Sequence, residues 1–358
     1  MKILADASLP NLEQFFPAPF ILTCYHQAKE IPNLIAGQEI LLCRATLKVN
    51  QQLLQGHTLR YVATATSGLD HLDLDWLEKE HIKVLDAKGA NATAVADYVM
   101  ACFAYLRHHK LFSGVTAGVI GMGHVGSIVA RRLSHCGLKV VRYDPPKELV
   151  DKDFQSCSLR ELQQVDLISI HAELHDRPFH PTTNLLDHNF LASLKPQCVL
   201  INAARGGIAA EQSLPLFASQ LIYCTDVYDH EPDINPQIIE QALLCTPHIA
   251  GHSIEAKYRA LAIISENLHR LYDMDQPLFN PPLPDKVQFS KEQTWEQQLL
   301  SLYDPSSETH KLKTAPDKRA AFLDLRKQHN KRHDFNQFLY PELGDNMKLC
   351  LGGDVNQH

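Results

Sequence analysis

Short apolar runs alternate with segments of helical periodicity in the first part of the chain. The runs favour β-strands because they are brief and bounded by turn-forming residues, whereas the segments between them repeat apolar positions every three or four residues. The predicted strands are residues 2–5, 39–43, 61–65 and 83–85, and the predicted helices are residues 49–55 and 74–81. This alternation is typical of a parallel sheet built from βαβ units.

A second series of the same kind follows a long predicted helix over residues 92–111. Its predicted strands are residues 116–120, 139–143, 166–171, 198–202, 221–227 and 243–246. Strands in this number, separated by helices, match a dinucleotide-binding domain. We therefore predict an α/β fold with two doubly wound parallel-sheet, Rossmann-like domains and a cleft between them.

The predicted domain boundaries depend on the segments beyond the last of these strands. A helical pattern over residues 254–271 is expected to return the chain to the first domain, and the proline-rich residues 277–284 indicate a linker. The predicted domains are residues 1–92 together with 252–280, residues 93–251, and residues 285–358.

Composition narrows the class of protein. The chain has 358 residues, 45% of them hydrophobic, and its 34 Lys and Arg residues against 41 Asp and Glu residues give a net charge of −7. These values exclude a disordered or fibrous protein, and the acidic balance argues against nucleic acid as the main partner. No apolar run reaches the length of a membrane span, and the amino terminus MKILADASLP lacks the segments of a signal peptide, so we expect a cytoplasmic protein without a membrane partner.

The cysteines and histidines show no metal-binding pattern. The nine cysteines stand singly in apolar stretches without a CxxC pair, which predicts reduced core thiols. The 20 histidines form neither an HExxH motif nor a Cys/His cluster, so no metal site is expected.

A glycine-rich loop lies between the predicted strand at residues 116–120 and a helical pattern that runs to about residue 136. The loop is Gly121-Met122-Gly123-His124-Val125-Gly126, a G-x-G-x-x-G sequence. Glycines at these positions permit a tight turn and a close approach of the backbone to a pyrophosphate, which the N-terminal amides of the following helix would bind. We expect all six residues to line a bound NAD.

Asp144 ends the next predicted strand and indicates which nicotinamide cofactor is bound. A carboxylate here can accept hydrogen bonds from the ribose hydroxyls and would repel a 2′-phosphate, so the residue predicts NAD rather than NADP. The alternative is that Asp144 only caps the turn before Pro145 and Pro146.

Three further strand ends each carry one reactive side chain, at Arg205, Glu231 and His248. The carboxyl ends of parallel strands are where doubly wound sheets bind ligands. Oxidation of a secondary alcohol by a nicotinamide needs a base for the hydroxyl proton, a group that orients this base, and a cation for the neighbouring carboxylate. We expect these roles of His248, Glu231 and Arg205, respectively. Taken singly, Arg205 could be a solvated charge and His248 a structural residue, but their order along the chain favours the catalytic interpretation.

These motifs, in this order, resemble those of the D-isomer-specific 2-hydroxyacid dehydrogenases over about residues 1–275. The similar segments include residues 1–6, 44–50, 64–73, 144–146 and 246–251. The resemblance implies that Arg205, Glu231 and His248 are catalytic, that residues 1–92 with 252–280 bind the substrate, and that residues 93–251 bind NAD. It also implies contacts with NAD from Asp144, Ala172, Asp226, Gly251 and the backbone of Ala203, Ala204 and Arg205, and contacts with the substrate from Ala45, Thr66 and His252.

Three of these positions depart from the family pattern. Ala45 stands in place of a serine, Ala172 in place of a threonine, and His252 in place of a tyrosine, so each change removes a hydroxyl that would contact the substrate or NAD. The segment after Arg205 also lacks the usual Val-Asp pair. None of the departures affects the three catalytic residues.

The C-terminal part resembles the dimerisation domain of one branch of the family. The similar residues are Leu302, Tyr303, Asp304, Phe322, Leu325, Arg326, Lys327, Arg332 and Phe335. This resemblance implies a small α+β domain over residues 285–358 and a homodimer formed through it. It also implies the activity of that branch, which is the NAD-dependent oxidation of 4-phospho-D-erythronate to (R)-3-hydroxy-2-oxo-4-phosphobutanoate in the biosynthesis of pyridoxal 5′-phosphate (vitamin B6).

Two other functions stay open at this point. One is another D-2-hydroxyacid dehydrogenase, such as a 3-phosphoglycerate dehydrogenase or a hydroxypyruvate reductase, and the other is a non-catalytic NAD-sensing scaffold.

A phosphorylated hydroxy acid requires a basic pocket, and the candidates for it are Arg44, Lys48, Arg205 and His252. Arg44 and Lys48 could instead be solvated charges at a strand end. The backbone amides from Thr66 to Gly68 are candidates for binding the substrate carboxylate.

Overall fold

A computed structural model of the chain describes residues 1–290, 292–329, 331–339 and 343–353. The chain divides into two compact units. One unit is Met1–Asn91 with Ser253–Leu283, and the other is Ala92–His252 with Pro284–His358. Each unit is built around one parallel β-sheet.

The helices and strands are numbered along the chain. The strands are β1 (Lys2–Asp6), β2 (Ile21–Tyr25), β3 (Ile40–Cys43), β4 (Tyr61–Thr64), β5 (Lys83–Leu85), β6 (Thr116–Ile120), β7 (Lys139–Tyr143), β8 (Leu167–Ile170), β9 (Cys198–Asn202), β10 (Leu221–Thr225) and β11 (Leu244–Cys245). The α-helices are α1 (Leu12–Phe15), α2 (Ile31–Leu34), α3 (Leu74–Lys79), α4 (Ala92–His108), α5 (His124–His135), α6 (Pro145–Val150), α7 (Leu159–Leu162), α8 (His188–Ala192), α9 (Pro236–Gln241), α10 (Ile254–Leu271), α11 (Trp295–Leu302), α12 (Ser306–Thr314), α13 (Lys318–Gln328) and α14 (Asp345–Cys350). Among the described residues, short 3₁₀ helices cover Ala28–Glu30, Leu214–Phe217 and Phe335–Phe338.

The sheet of the first unit has the order β2-β1-β3-β4-β5, and all its strand pairs are parallel. Successive residues of β1 face opposite sides: Ile3 packs in the cluster that contains Leu261 of α10, and Leu4 packs in the cluster that contains Leu77 of α3. Both faces of this sheet are therefore buried by helices, which explains why its inner strands are continuous apolar runs.

The sequence prediction for this unit missed one strand and placed one helix wrongly. Strand β2, at the edge of the sheet, was not predicted although four of its five residues, Ile21, Leu22, Cys24 and Tyr25, are apolar. The helix predicted over residues 49–55 is absent: Val49 forms an isolated bridge with Leu72, and turns follow it. The side chain of Asn50 accepts a hydrogen bond from the backbone N–H of Leu53 at 3.0 Å, a local contact that competes with helical hydrogen bonding.

The sheet of the second unit has the order β11-β10-β9-β8-β6-β7 and is also parallel throughout. The chain passes from β6 to β7 on one side and then returns to place β8 on the other side. This reversal creates a topological switch point beside β6, the position where such sheets bind ligands at their carboxyl edge. The predicted α/β class with two parallel-sheet, Rossmann-like domains and the six predicted strands of this unit are confirmed, with strand ends that differ by at most two residues.

The C-terminal part packs on both faces of this second sheet. Leu299, Tyr303 and Phe335 lie in the cluster that contains Val99 of α4, whereas Phe322 lies in the cluster on the other face. The described residues of this part contain helices and no strand, which corrects the predicted α+β composition. Helix formation is favoured by the side chains of Thr294 and Asp317, which cap α11 and α13. The last residues of the predicted C-terminal domain, 354–358, lie outside the described residues.

The nine cysteines are all free thiols, as predicted. Cys24 is nevertheless exposed on the edge strand β2, so the expectation that all nine lie in the core is wrong at this position. In the described part of the chain, no helix is long and apolar enough to cross a membrane.

Candidate active site

The glycine loop connects β6 to α5, and the environment of a side chain would differ at each of its three glycines. Gly121 has a φ of +84°, and a Cβ atom there would lie 2.7 Å from the backbone nitrogen of Ala172. A Cβ atom at Gly126 would lie 1.8 Å from the carbonyl oxygen of Gly121, whereas nothing lies within 4 Å of a Cβ atom at Gly123. Gly121 and Gly126 are therefore required by the fold, and the backbone at Gly123 borders open space. This open cradle at the N-terminus of α5 fits the pyrophosphate of NAD.

Asp144 connects the end of β7 to the glycine loop. Its Oδ2 atom accepts a hydrogen bond from the backbone N–H of Met122 at 2.7 Å, and its Oδ1 atom accepts one from the backbone N–H of Lys147 at 3.0 Å. The residue is thus the N-cap of α6, as the alternative interpretation proposed, and it also lies against the cofactor loop. A carboxylate in this position fits a ribose with free hydroxyls.

The segment that carries His248 is held by the buried carboxylate of Asp226. That carboxylate accepts hydrogen bonds from the backbone N–H groups of Ile249 at 2.8 Å and Ala250 at 2.7 Å, and from the hydroxyl of Thr246 at 2.7 Å. Burial raises the pKa of Asp226, while the charge of His248 and these hydrogen bonds act in the opposite direction. The contact of Asp226 with NAD stays a prediction, and the structure gives this residue a further role in holding the loop.

The Nδ1 atom of His248 lies 2.6 Å from the Oε2 atom of Glu231. The other carboxylate oxygen of Glu231 accepts a hydrogen bond from the backbone N–H of Tyr228 at 2.9 Å. Burial raises the pKa of Glu231, but the charge and hydrogen bond of His248, the Tyr228 amide and the charge of Arg326 together bring it below its ordinary value. An ionised Glu231 accepts a hydrogen bond from the Nδ1–H group of His248, which leaves Nε2 of His248 for a substrate.

Arg205 is positioned beside the Glu231 loop by a glycine. A Cβ atom at Gly206 would lie 2.1 Å from the backbone carbonyl carbon of Tyr228, so the two loops touch through their backbones. The side chain of Asn202 donates a hydrogen bond to the carbonyl oxygen of Arg205 at 2.9 Å and accepts one from the N–H of Ala204 at 3.1 Å. The three predicted catalytic residues therefore follow three neighbouring strands, β9, β10 and β11, at one edge of the sheet.

The remaining predicted cofactor and substrate positions are distributed over both units. Ala172 is brought next to the glycine loop by the close approach at Gly121. His252 ends the segment after His248, and its N–H donates to the carbonyl oxygen of Ile249 at 2.8 Å. The other two substrate positions, Ala45 and Thr66, belong to the first unit, where Ala45 is exposed and Thr66 half-buried. Their placement against the catalytic residues stays a prediction.

Two basic residues of the first unit lie near each other. Arg44 donates a hydrogen bond from Nε to the carboxylate of Asp6 at 2.8 Å. Burial lowers the pKa of Lys257 in α10, and the positive charge of Arg44 lowers it further. Sequence reasoning missed Lys257, for which the only available signal was its place in the first turn of a predicted helix. Lys48 is exposed, which fits the alternative of a solvated charge.

Sequence reasoning missed Glu211 and assigned Arg326 only to the dimerisation domain, whereas both contact the loop of Glu231. The carboxylate of Glu211 accepts a hydrogen bond from the backbone N–H of Asp229 at 2.8 Å. Burial raises the pKa of Glu211 to about 7, and the charges of Asp229 and Glu231 contribute in the same direction. The Nη1 atom of Arg326 lies 3.9 Å from Oε2 of Glu231. No local sequence pattern reports such contacts between distant parts of a chain.

The sequence of the chain is similar to those of known dehydrogenases. Residues 103–250 match the family described as D-isomer specific 2-hydroxyacid dehydrogenase, NAD binding domain. A protein of Legionella pneumophila subsp. pneumophila (strain Philadelphia 1) named erythronate-4-phosphate dehydrogenase is 49% identical over 351 residues, which cover 96% of this chain and 100% of that protein. A protein of Coxiella burnetii (strain RSA 493) with the same name is 36% identical over 354 residues, covering 94% of each chain.

A solved structure shares the fold at lower sequence similarity. The NAD-dependent formate dehydrogenase of Staphylococcus aureus, determined in complex with NAD, superposes with a TM-score of 0.63 and is 22% identical. The match covers 76% of this chain and 96% of that protein.

Proposed function

Because the chain belongs to the erythronate-4-phosphate dehydrogenases within the D-isomer-specific 2-hydroxyacid dehydrogenase family, we propose that it oxidises 4-phospho-D-erythronate with NAD. The product is (R)-3-hydroxy-2-oxo-4-phosphobutanoate, an intermediate in pyridoxal 5′-phosphate biosynthesis. The observation that carries the proposal is the contact between His248 and Glu231 at the strand ends of a chain that matches its named relatives over nearly the whole length.

The proposed mechanism assigns one role to each catalytic residue. Oxidation of the C2 alcohol to a ketone releases one proton and one hydride. The proton of the hydroxyl passes to Nε2 of His248, whose ring is oriented through Nδ1 by Glu231. Arg205 binds the carboxylate next to C2, because its planar guanidinium can form two parallel hydrogen bonds with it. Bound NAD, held by the glycine loop and Asp144, supplies the acceptor for the hydride.

The anionic groups of the substrate need further cations, and the first unit supplies candidates. The proximity of Arg44 and Lys257 supports a subsite there for the phosphate, since an anion would relieve the repulsion between the two charges. Thr66 and the following backbone amides are proposed contacts of the substrate, together with Ala45 and His252. In this proposal residues 1–92 and 252–280 bind the substrate, and residues 93–251 bind NAD.

The proposal includes a homodimer in the cytoplasm. The similarity of residues 285–358 to a dimerisation domain supports the dimer. Nine free thiols fit a reducing compartment.

A substrate comparison tests the proposed function. Purified protein is incubated with NAD and 4-phospho-D-erythronate, 3-phospho-D-glycerate or D-glycerate, while hydrazine traps the oxo product and the absorbance of NADH is followed. We expect the highest kcat/KM with 4-phospho-D-erythronate. A higher value with 3-phospho-D-glycerate would assign the enzyme to another branch of the family, and no NADH with any hydroxy acid would favour a non-catalytic NAD-binding protein.

A further inference from the structure

Helix α13 of the C-terminal part lies on the loop that carries Glu231. The ring of Phe322 packs edge-on against the ring of Tyr228, with centroids 6.1 Å apart and an angle of 75° between the planes. One helical turn later, Nη1 of Arg326 lies 3.9 Å from Oε2 of Glu231. Residues four apart share one face of a helix, so this face contacts both ends of the loop from Tyr228 to Glu231.

Arg332, beyond the end of α13, contacts the loop that carries His248. Its buried guanidinium donates hydrogen bonds from Nη2 to the carbonyl oxygen of Ala250 and, at 3.2 Å, to that of Ala94. The guanidinium also stacks over the ring of Tyr303, 4.8 Å from its centroid. The Ala250 residue is thus held from both sides, through its N–H by Asp226 and through its carbonyl oxygen by Arg332.

Buried residues anchor the chain near each of these two arginines. Phe322, one helical turn before Arg326, and Phe335, three residues after Arg332, are both buried. The backbone N–H of Phe335 donates a hydrogen bond to the carboxylate of Asp97 in α4 at 2.8 Å. The ring centroid of His329 lies 6.5 Å from that of His252, a predicted substrate contact. Arginines anchored in this way can hold the loops that they contact.

We propose that Arg326 and Arg332 together form an intramolecular positioning arm for the acid–base pair. Arg326 orients the carboxylate of Glu231, and Arg332 fixes the backbone of the loop that bears His248. The C-terminal part therefore acts on the catalytic residues of its own chain, in addition to any role in dimerisation. The expected effect of these arginines on the reaction rests on the proposed function, whereas their effect on the backbone of the His248 loop does not.

The activity test compares Arg326→Ala and Arg326→Lys with Gln328→Ala, a control at an exposed position of the same helix. We expect Arg326→Ala to lower kcat about five- to twentyfold, because small displacements of catalytic groups cost large factors in rate, while KM for NAD and the melting temperature stay unchanged. Arg326→Lys should retain part of the rate, added guanidinium should restore part of it in Arg326→Ala, and Gln328→Ala should match the wild type. A kcat of Arg326→Ala within about twofold of the wild type, or a loss that guanidinium does not restore, would overturn the role of Arg326.

A second measurement tests the role of Arg332 without requiring turnover. Since Arg332→Ala would leave buried carbonyl groups without a donor, Arg332→Lys is the variant of choice: it keeps the charge but loses the planar fork. We expect faster amide hydrogen exchange at Ile249 and Ala250 in Arg332→Lys than in the wild type, with unchanged exchange in β1 and β3 of the other unit. Equal exchange at Ile249 and Ala250 would overturn the proposed arm. If the wild type oxidises no hydroxy acid, the proposed function fails, but this exchange measurement still decides the proposal about the arm.

Discussion

The contact of 2.6 Å between Nδ1 of His248 and Oε2 of Glu231 joins residues that follow two neighbouring strands, β10 and β11. Because Glu231 occupies Nδ1, only Nε2 of the ring can serve as the base for a substrate. His248 has a φ of 54°, and its backbone N–H donates to the carbonyl oxygen of Asp226 at 2.8 Å. The ring direction is therefore determined by the backbone conformation as well as by Glu231.

Replacement of His248 tests its role as the base. Asn tolerates the left-handed conformation that this position adopts, so His248→Asn should fold. We expect kcat to fall by about 10² to 10⁴, the usual effect of losing an acid–base group, while the Kd for NAD changes little. His230→Asn is the matched control, because His230 also has a positive φ of 59° but is exposed. A His248→Asn variant that retains more than about a third of the wild-type kcat would exclude the assignment.

Two of the three glycines of the cofactor loop, Gly123 and Gly126, should respond differently to alanine. Gly126→Ala would place a Cβ atom 1.8 Å from the carbonyl oxygen of Gly121, so we expect a lower melting temperature. Gly123→Ala meets no protein atom within 4 Å, so its melting temperature should equal that of the wild type. If the pyrophosphate of NAD approaches Gly123, this variant should nevertheless bind NAD about tenfold or more weakly, as titration calorimetry would measure. Unchanged NAD affinity in Gly123→Ala would place the pyrophosphate elsewhere.

The preference for NAD should depend on Asp144. Replacing its carboxylate by the hydroxyl of serine keeps a helix N-cap for α6 but removes the charge that would repel a 2′-phosphate. For Asp144→Ser we expect the ratio of kcat/KM for NAD to that for NADP to fall by about tenfold or more. Steady-state rates with both cofactors measure this ratio. An unchanged ratio would mean that Asp144 serves only as the helix cap.

The raised pKa of Glu211 predicts that the stability of the fold depends on pH. Burial raises its pKa from the ordinary value of 4.5 to about 7, so between these values the folded state binds more protons than the unfolded state. Its contribution to stability is complete below pH 4.5 and is lost as the pH rises towards 7. Glu211→Gln cannot ionise, so its free energy of unfolding relative to the wild type should rise between about pH 5 and about pH 8, as urea titrations would show. Exposed Glu240→Gln is the control, and parallel pH profiles for Glu211→Gln and the wild type would contradict the prediction.

The parts of the fold that sequence predicted best are those with a strong local signal. Strands β6 and β9 are largely apolar and buried in the interior of a parallel sheet, and the loop after β6 has the glycines that its geometry requires. Strand β2 was missed although its sequence is apolar. The helix predicted at residues 49–55 has a helical apolar pattern, but the side chain of Asn50 accepts a hydrogen bond from the N–H of Leu53 in place of helical bonding.

Sequence identified the reactive groups of the candidate site but not the residues that hold them in place. Arg205, Glu231 and His248 could be identified because each follows a strand of one parallel sheet. The groups that hold them could not, because Arg326, Arg332 and Glu211 act through contacts between segments that are distant in sequence. Asp226 was predicted as a contact of NAD, but its bonds to the backbone of the His248 loop depend on the three-dimensional path of that loop.

The central claim is that the C2 hydride of 4-phospho-D-erythronate is transferred to NAD as His248 takes the hydroxyl proton. The most direct test incubates the protein with NAD and 4-phospho-D-erythronate deuterated at C2, and then measures the mass of the reduced nucleotide. The account predicts one deuterium atom in each reduced nucleotide and none from substrate deuterated at C3. A reduced nucleotide without deuterium, or no reduced nucleotide at all, would contradict it.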